Sequence, residues 1–124
     1  MSLFDWLLVG HLVGDFLLQT DGMARNKSKS WPWMLRHVGL YMLLVTVVIV
    51  VYALSHPLSF WWIALALLLL SVTHVGLDRR RFTTWWMGVV GIEPQHPWLG
   101  IVVDQVFHIL ILAIVAQGLV MVSG

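Results

Sequence analysis

The chain contains no cysteine, which excludes disulfides, thiolate metal sites and Cys-attached haem. Charge is also scarce. Asp, Glu, Lys and Arg make up 10% of the 124 residues, against about 25% in a soluble domain. With a net charge of +1 and no basic patch interleaved with stacking residues, nucleic acid is not an expected partner. The opening MSLFDWLLVG has neither a positively charged leader nor a small-residue cleavage site, so it reads as a first span rather than a signal peptide. Internal repeats and low-complexity tracts are missing as well. What remains is apolar: 60% of residues are hydrophobic, with eight Trp. A soluble fold of this size could not cover so much apolar surface. The expectation is an all-α integral membrane protein, a single transmembrane domain over residues 1–124.

Four apolar segments stand out, at about 3–19, 33–54, 59–78 and 98–122. The first is short, yet long enough for a near-upright helix. Asp21-Gly22 breaks it, Ser30 and Pro32 announce the next helix, and Ser55-His56-Pro57 forms a tight turn. Between spans three and four, residues 82–91 carry Trp85 and Trp86 and suit a short interfacial helix. Glu93 to Pro97 reads as irregular loop, with Glu93 and His96 exposed in it. All seven Lys and Arg lie in, or at the mouth of, the two loops that a four-helix bundle places on one side. The positive-inside rule makes that side cytoplasmic and puts both termini outside. Trp6, Trp61 and Trp62 then mark the outer interface; Trp31, Trp33, Trp85, Trp86 and Trp98 mark the inner one.

Against this apolar background, ionisable residues are conspicuous. His11 and Asp15 lie roughly 12 and 6 Å above the inner end of span one. His37 lies roughly 6 Å into span two, and Asp104 and His108 roughly 9 and 15 Å into span four. His74 and Asp78 occupy the last turns of span three. Every span contributes at the same depth, and three contribute an i, i+4 pair on one helix face. Ionisable groups inside a membrane are costly and mark functional sites by default. Imidazole with carboxylate suits a divalent cation, Zn²⁺ first, with Mn²⁺ or Fe²⁺ as alternatives. His11, Asp15, His74, Asp104 and His108 are the candidate ligands, with Asp78 and His37 as acid–base groups. The surplus over one tetrahedral set suggests two metals, or one metal with catalytic groups. The competing reading is that these pairs merely neutralise each other between helices. Arg36 and Arg79 are candidates for a phosphate headgroup, although topology and lipid contact explain them too. Gly10 and Gly14 form a GxxxG suited to close helix packing within the protomer. Gln19, Gln105 and Asn26 read equally as supporting hydrogen-bonders or helix-end residues.

The stretch His11-Leu-Val-Gly14-Asp15-Phe-Leu-Leu-Gln19-Thr20-Asp21, with Met23-Ala24 and Asn26-Lys27, resembles the opening motif of a family of small bacterial and phage membrane proteins known as domain of unknown function 3307. His74-x-x-x-Asp78, Asp104-Gln105-x-x-His108 and His37 are similar to that family's later motifs. The resemblance implies a multi-pass protein of the bacterial inner membrane and carries no activity with it. A looser likeness, in residue types alone, links the chain to membrane-bound metal-dependent hydrolases. The expected function is therefore a divalent-metal-dependent hydrolase acting on a lipid headgroup or other membrane-associated substrate at the cytoplasmic leaflet. Transport or sensing of a divalent cation or proton is the alternative, weakened by an outer half nearly bare of polar groups. A bis-His haem b protein fits poorly, because each histidine pair carries a carboxylate one turn away. A non-catalytic membrane partner with a structural network, or a homo-oligomer with a shared pore, completes the field.

Overall fold

The computed structural model describes residues 1–92 and 97–123; Glu93 and His96, assigned above to an exposed loop, lie outside them. The described chain is all helical: α1 (Leu3–Leu12), a π-helical turn (Val13–Leu17), α2 (Asp21–Asn26), α3 (Trp31–Ala53), α4 (Phe60–Asp78), α5 (Arg81–Val90) and α6 (Pro97–Ser123).

Local chemistry sets the boundaries. At the start of α1, the Ser2 hydroxyl accepts the Asp5 N–H at 3.1 Å, and the Ser2 N–H donates to Asp5 Oδ2 at 2.8 Å. This reciprocal cap satisfies donors that would otherwise be orphaned. Thr20 caps α2 by accepting the Met23 N–H, and Pro32 sits in the first turn of α3, where a missing N–H costs nothing. Arg80, with φ of 64°, makes the left-handed step between α4 and α5, costing roughly 1 kcal/mol or more for a residue with a Cβ. Gly91, at φ 78°, ends α5, and the Ile92 N–H returns to the Met87 carbonyl.

Three helices are long and apolar enough to cross a membrane: Trp31–Ala53, Phe60–Asp78 and Trp98–Ser123. The first apolar segment differs. Its regular helix stops at Leu12, the π-turn occupies Val13–Leu17, and the chain turns away before Asp21.

α1 packs against α3 and α6, and α4 packs against the same two helices. Their shared interior divides into two layers. Leu3, Leu7, Tyr41, Val45, Ile49, Ala66, Leu70, Leu112, Ala116 and Leu119 form one apolar cluster. The other layer holds the buried histidines and aspartates. α5 lies across α4 and α6, with Thr83 buried beneath it and Trp85, Val89 and Val90 exposed. α5 supplies the short helix expected over 82–91, with its exposed apolar side chains on one side.

Candidate metal centre

Seven ionisable side chains from the four packed helices meet in the polar layer: His11, Asp15, His37, His74, Asp78, Asp104 and His108. All are 0–5% exposed. Burying even one unpaired carboxylate is expensive, and here there are three.

Four of these groups aim single atoms at one point. His37 Nε2 and His74 Nε2 are 3.0 Å apart. Asp78 Oδ2 lies 2.9 Å from His37 Nε2 and 3.0 Å from His74 Nε2. Asp15 Oδ1 lies 3.2 and 3.5 Å from the same two nitrogens. Asp15 reaches this position from the π-turn. There Oδ1 faces His37 and His74 while Oδ2 stays 3.6 Å from His11 Nε2; π-turns of this kind are frequent at functional sites. Gln19, read above as a supporting hydrogen-bonder or a helix-end residue, donates to the Asp15 backbone carbonyl.

Hydrogen bonding alone accounts poorly for this convergence. Even if His37 Nε2–H donates to Asp15 Oδ1 and His74 Nε2–H to Asp78 Oδ2, the two N–H groups are left head to head with their nitrogens 3.0 Å apart. Asp15 Oδ1 and both oxygens of Asp78 lack a hydrogen bond of good geometry. A cation at the centre removes the conflict. A tetrahedral ion bound at about 2.0–2.2 Å separates its ligand atoms by about 3.3–3.6 Å, so the donors, now 2.9–3.5 Å apart, would have to spread by a few tenths of an ångström to take one. Asp15, His37, His74 and Asp78 form a group that could hold a metal ion, and Asp78, Asp104 and His108 form a second.

His11 stands outside both groups, because each of its ring nitrogens is already used. Nε2 lies 2.7 Å from Gln105 Oε1 and Nδ1 lies 2.8 Å from the Tyr41 hydroxyl. An amide oxygen only accepts, so His11 carries its proton on Nε2 and Tyr41 donates to Nδ1. Gln105 in turn donates its Nε2–H to Asp15 Oδ2 at 3.2 Å. A directed chain results, from Tyr41 through His11 and Gln105 to the back of the Asp15 carboxylate. It fixes that carboxylate from behind, as outer partners of metal ligands do.

Tyr41 and Lys27 are the groups that sequence reasoning missed. The Tyr41 ring stacks on His74 with centroids 3.8 Å apart. Gly14 admits it: a Cβ there would fall 2.9 Å from Tyr41 Cδ2. The only signal was position, one turn beyond His37. Lys27, 7% exposed, places Nζ 3.3 Å from Asp78 Oδ2. It was indistinguishable in sequence from the other cations of its loop. Gly22 lets α2 lie close on α3, since a Cβ there would meet the Trp33 ring at 2.5 Å. The chain after α2 is thereby carried down towards Asp78.

On the remaining side, the Thr83 hydroxyl donates to Asp104 Oδ1 at 3.4 Å, and His108 Nδ1–H donates to the Asp104 carbonyl at 2.8 Å. A void of about 10 Å³ borders Tyr41, Thr73, His74 and His108, roughly the room that one water needs. His74, whose Nδ1 has no protein partner, is one of its lining residues. Arg36 and Arg79 take no part in either group. The Arg36 guanidinium lies over the Trp33 ring at 4.9 Å, and that of Arg79 over Trp31 at 4.7 Å. The 3.0 Å between His37 Nε2 and His74 Nε2 leaves no room for a haem between these two rings.

No curated protein and no solved structure matches the chain. Residues 3–124 match the family described as protein of unknown function (DUF3307), so the chain, over essentially its whole length and with every residue of the buried centre included, belongs to the DUF3307 family.

Proposed function

We propose that the protein is a membrane metalloenzyme, a hydrolase whose divalent cation is held by Asp15, His37, His74 and Asp78. The observation that carries this reading is the convergence of those four buried donor atoms at 2.9–3.5 Å. Two imidazoles and two carboxylates suit Zn²⁺, with Mn²⁺ and Fe²⁺ as alternatives. A bound cation supplies a Lewis acid and a water of lowered pKa.

In this reading α1 and its π-turn form a short fourth span, completing a four-helix bundle with α3, α4 and α6. Its outward side carries Val9, Leu12, Phe16 and Leu17, apolar as a lipid-facing surface should be. Lys27, Lys29, Arg36 and Arg79 to Arg81 gather at the end of the bundle that holds the centre. By the positive-inside rule that end is cytoplasmic, with both termini outside. The substrate then comes from the cytoplasmic leaflet, as a lipid headgroup or another membrane-associated molecule.

The apolar layer favours hydrolysis over transport. A cleft of about 370 Å³ opens at the far end beside Ser2, Tyr52 and Gln117. Between it and the centre come Leu7, Val45 and Leu112, each 0–1% exposed, which offer an ion no ligand.

Elemental analysis of detergent-purified protein tests the metal centre. Near-stoichiometric transition metal is expected in the wild type and little in His74→Gln. Metal-free wild type of normal thermal stability would overturn it. Headgroup release from mixed-phospholipid vesicles, dependent on metal and absent in His74→Gln, tests the hydrolase reading; metal uptake into vesicles without lipid turnover would replace it with transport.

A further inference from the structure

We infer that the centre takes a second divalent cation, held by Asp78, Asp104 and His108, with Asp78 as the carboxylate shared between the two ions. The inference rests on the proposed first site and adds a position beside it.

Asp78 divides its oxygens. Oδ2 faces His37 and His74, whereas Oδ1 faces His108 Nε2 at 3.4 Å. The His108 proton is assigned by its neighbour: Nδ1–H donates to the Asp104 carbonyl, which can only accept, so neutral His108 turns the lone pair of Nε2 towards Asp78. Neither His108 Nε2 nor Asp78 Oδ1 has a hydrogen-bond partner, and the two residues are only 3% and 1% exposed. Two lone pairs facing each other at 3.4 Å repel. The competing arrangement, a protonated His108 donating to Asp78, calls for a charge-assisted bond of about 2.7–2.9 Å. The 3.4 Å observed is instead the spacing of two atoms on one tetrahedral cation. Asp104 completes a set of three, with one atom from each residue within 4.8 Å of the others. The Thr83 hydroxyl on Asp104 Oδ1 holds that carboxylate from the side of α5. Three protein ligands leave one coordination place for water, the pattern of a catalytic rather than a structural ion. A single bridging carboxylate suits the separation of about 3.5–4 Å common to two-metal hydrolytic sites.

Charge sets the order of filling. Among the described residues, Asp15, Asp78 and Asp104 oppose one buried ammonium, that of Lys27. The first dication neutralises the two uncompensated negative charges. The second enters an already neutral cavity, binds more weakly, and leaves an excess of positive charge that favours hydroxide over water at its open place.

Titration of chelator-stripped full-length protein with Mn²⁺, with bound metal counted by elemental analysis, tests this. Two Mn²⁺ per chain are expected, in two steps, the second at least tenfold weaker. His108→Gln and Asp104→Asn should each keep the tight step and lose the weak one. Electron paramagnetic resonance of the doubly loaded wild type should show two spin-coupled ions, a readout that stands if either variant fails to fold. One Mn²⁺ per chain at saturation overturns the second site and leaves the first intact. Two ions without spin coupling overturn the Asp78 bridge. No bound Mn²⁺ removes the proposed metal centre and this inference together.

Discussion

The two ends of this helix cluster run on the same registers and bury opposite chemistry. α1 with its π-turn turns inward Leu3, Leu7, His11 and Asp15; α3 turns inward His37, Tyr41, Val45 and Ile49; α4 turns inward Ala66, Leu70, His74 and Asp78; α6 turns inward Asp104, His108, Leu112 and Ala116. Each helix thus has one inward stripe at four-residue spacing, polar towards the basic loops and apolar towards the other end. The apolar end is held by close packing, which needs no partner. Among the described residues the polar end encloses three carboxylates and four histidines against one ammonium, so it needs protons or a bound cation to balance its charge. The same scaffold therefore contains a half that folds by shape and a half whose charge, in the proposed metal centre, a bound cation would balance.

Removing the ion should separate the halves most sharply. With the cation at a thousandfold its Kd, binding adds about 4 kcal/mol of stability, and in its absence the carboxylates repel. Exhaustive chelation is expected to lower the thermal midpoint in detergent substantially, and re-addition of Zn²⁺ or Mn²⁺ to restore it. Leu112→Ala, in the apolar half, should also destabilise by about 2–4 kcal/mol through the cavity it leaves. Its metal content should stay at the wild-type level. If chelation does not move the midpoint, the polar half is a self-satisfied network and the contrast between the halves disappears.

Much of this was legible in the sequence. The i, i+4 pairs and His37 at a common depth mark the polar layer in the sequence itself, because a helix puts such residues on one face. Arg36 could have been assigned outward by the same rule, since it is one residue, or about 100°, from inward-facing His37. The division of labour inside the layer was not legible. Whether His11 ligates an ion or donates to Gln105 depends on which ring nitrogen meets which neighbour, at a precision of tenths of an ångström. The π-turn that carries Asp15 has no compositional signature: VGDFL would fit an α-helix equally well. Lys27 reached Asp78 only because a chain segment after Gly22 folded back, a tertiary event that local pattern does not encode.

Lys27 sharpens the comparison in a second way. Its ammonium is the buried cation beside Asp78, so it stabilises the ion-free state and opposes the ion. Lys27→Met keeps the length of the side chain and removes the charge. Metal affinity is expected to rise severalfold, because a like charge next to the binding oxygen is gone. The ion-free protein should melt at a lower temperature than ion-free wild type, because Asp78 has lost its counter-charge. The gap between metal-loaded and metal-free midpoints should therefore widen. An unchanged gap would place the Lys27 ammonium in solvent, with no hold on Asp78.

The smallest expected effect tests whether the polar half is organised beyond its ligands. Tyr41→Phe keeps the ring stacked on His74 and deletes only the hydroxyl that donates to His11 Nδ1. The cost in stability should be about 1–3 kcal/mol, that of leaving one buried acceptor unpaired. The effect on metal should be indirect. Without the Tyr41 donor, His11 keeps its Nε2–H on Gln105 but loses the contact that fixes its other ring nitrogen, so the ring, Gln105 and the Asp15 Oδ2 that Gln105 contacts are held less firmly. Loss of such outer support typically costs 10–100-fold in metal affinity, and the lower end is expected here because two links separate Tyr41 from the ligand. Gln105→Leu, one link from Asp15, should cost more than Tyr41→Phe in affinity. Equal effects, or none in either variant, would mean that Asp15 is positioned by the π-turn alone and that the chain through His11 serves only to satisfy its own members.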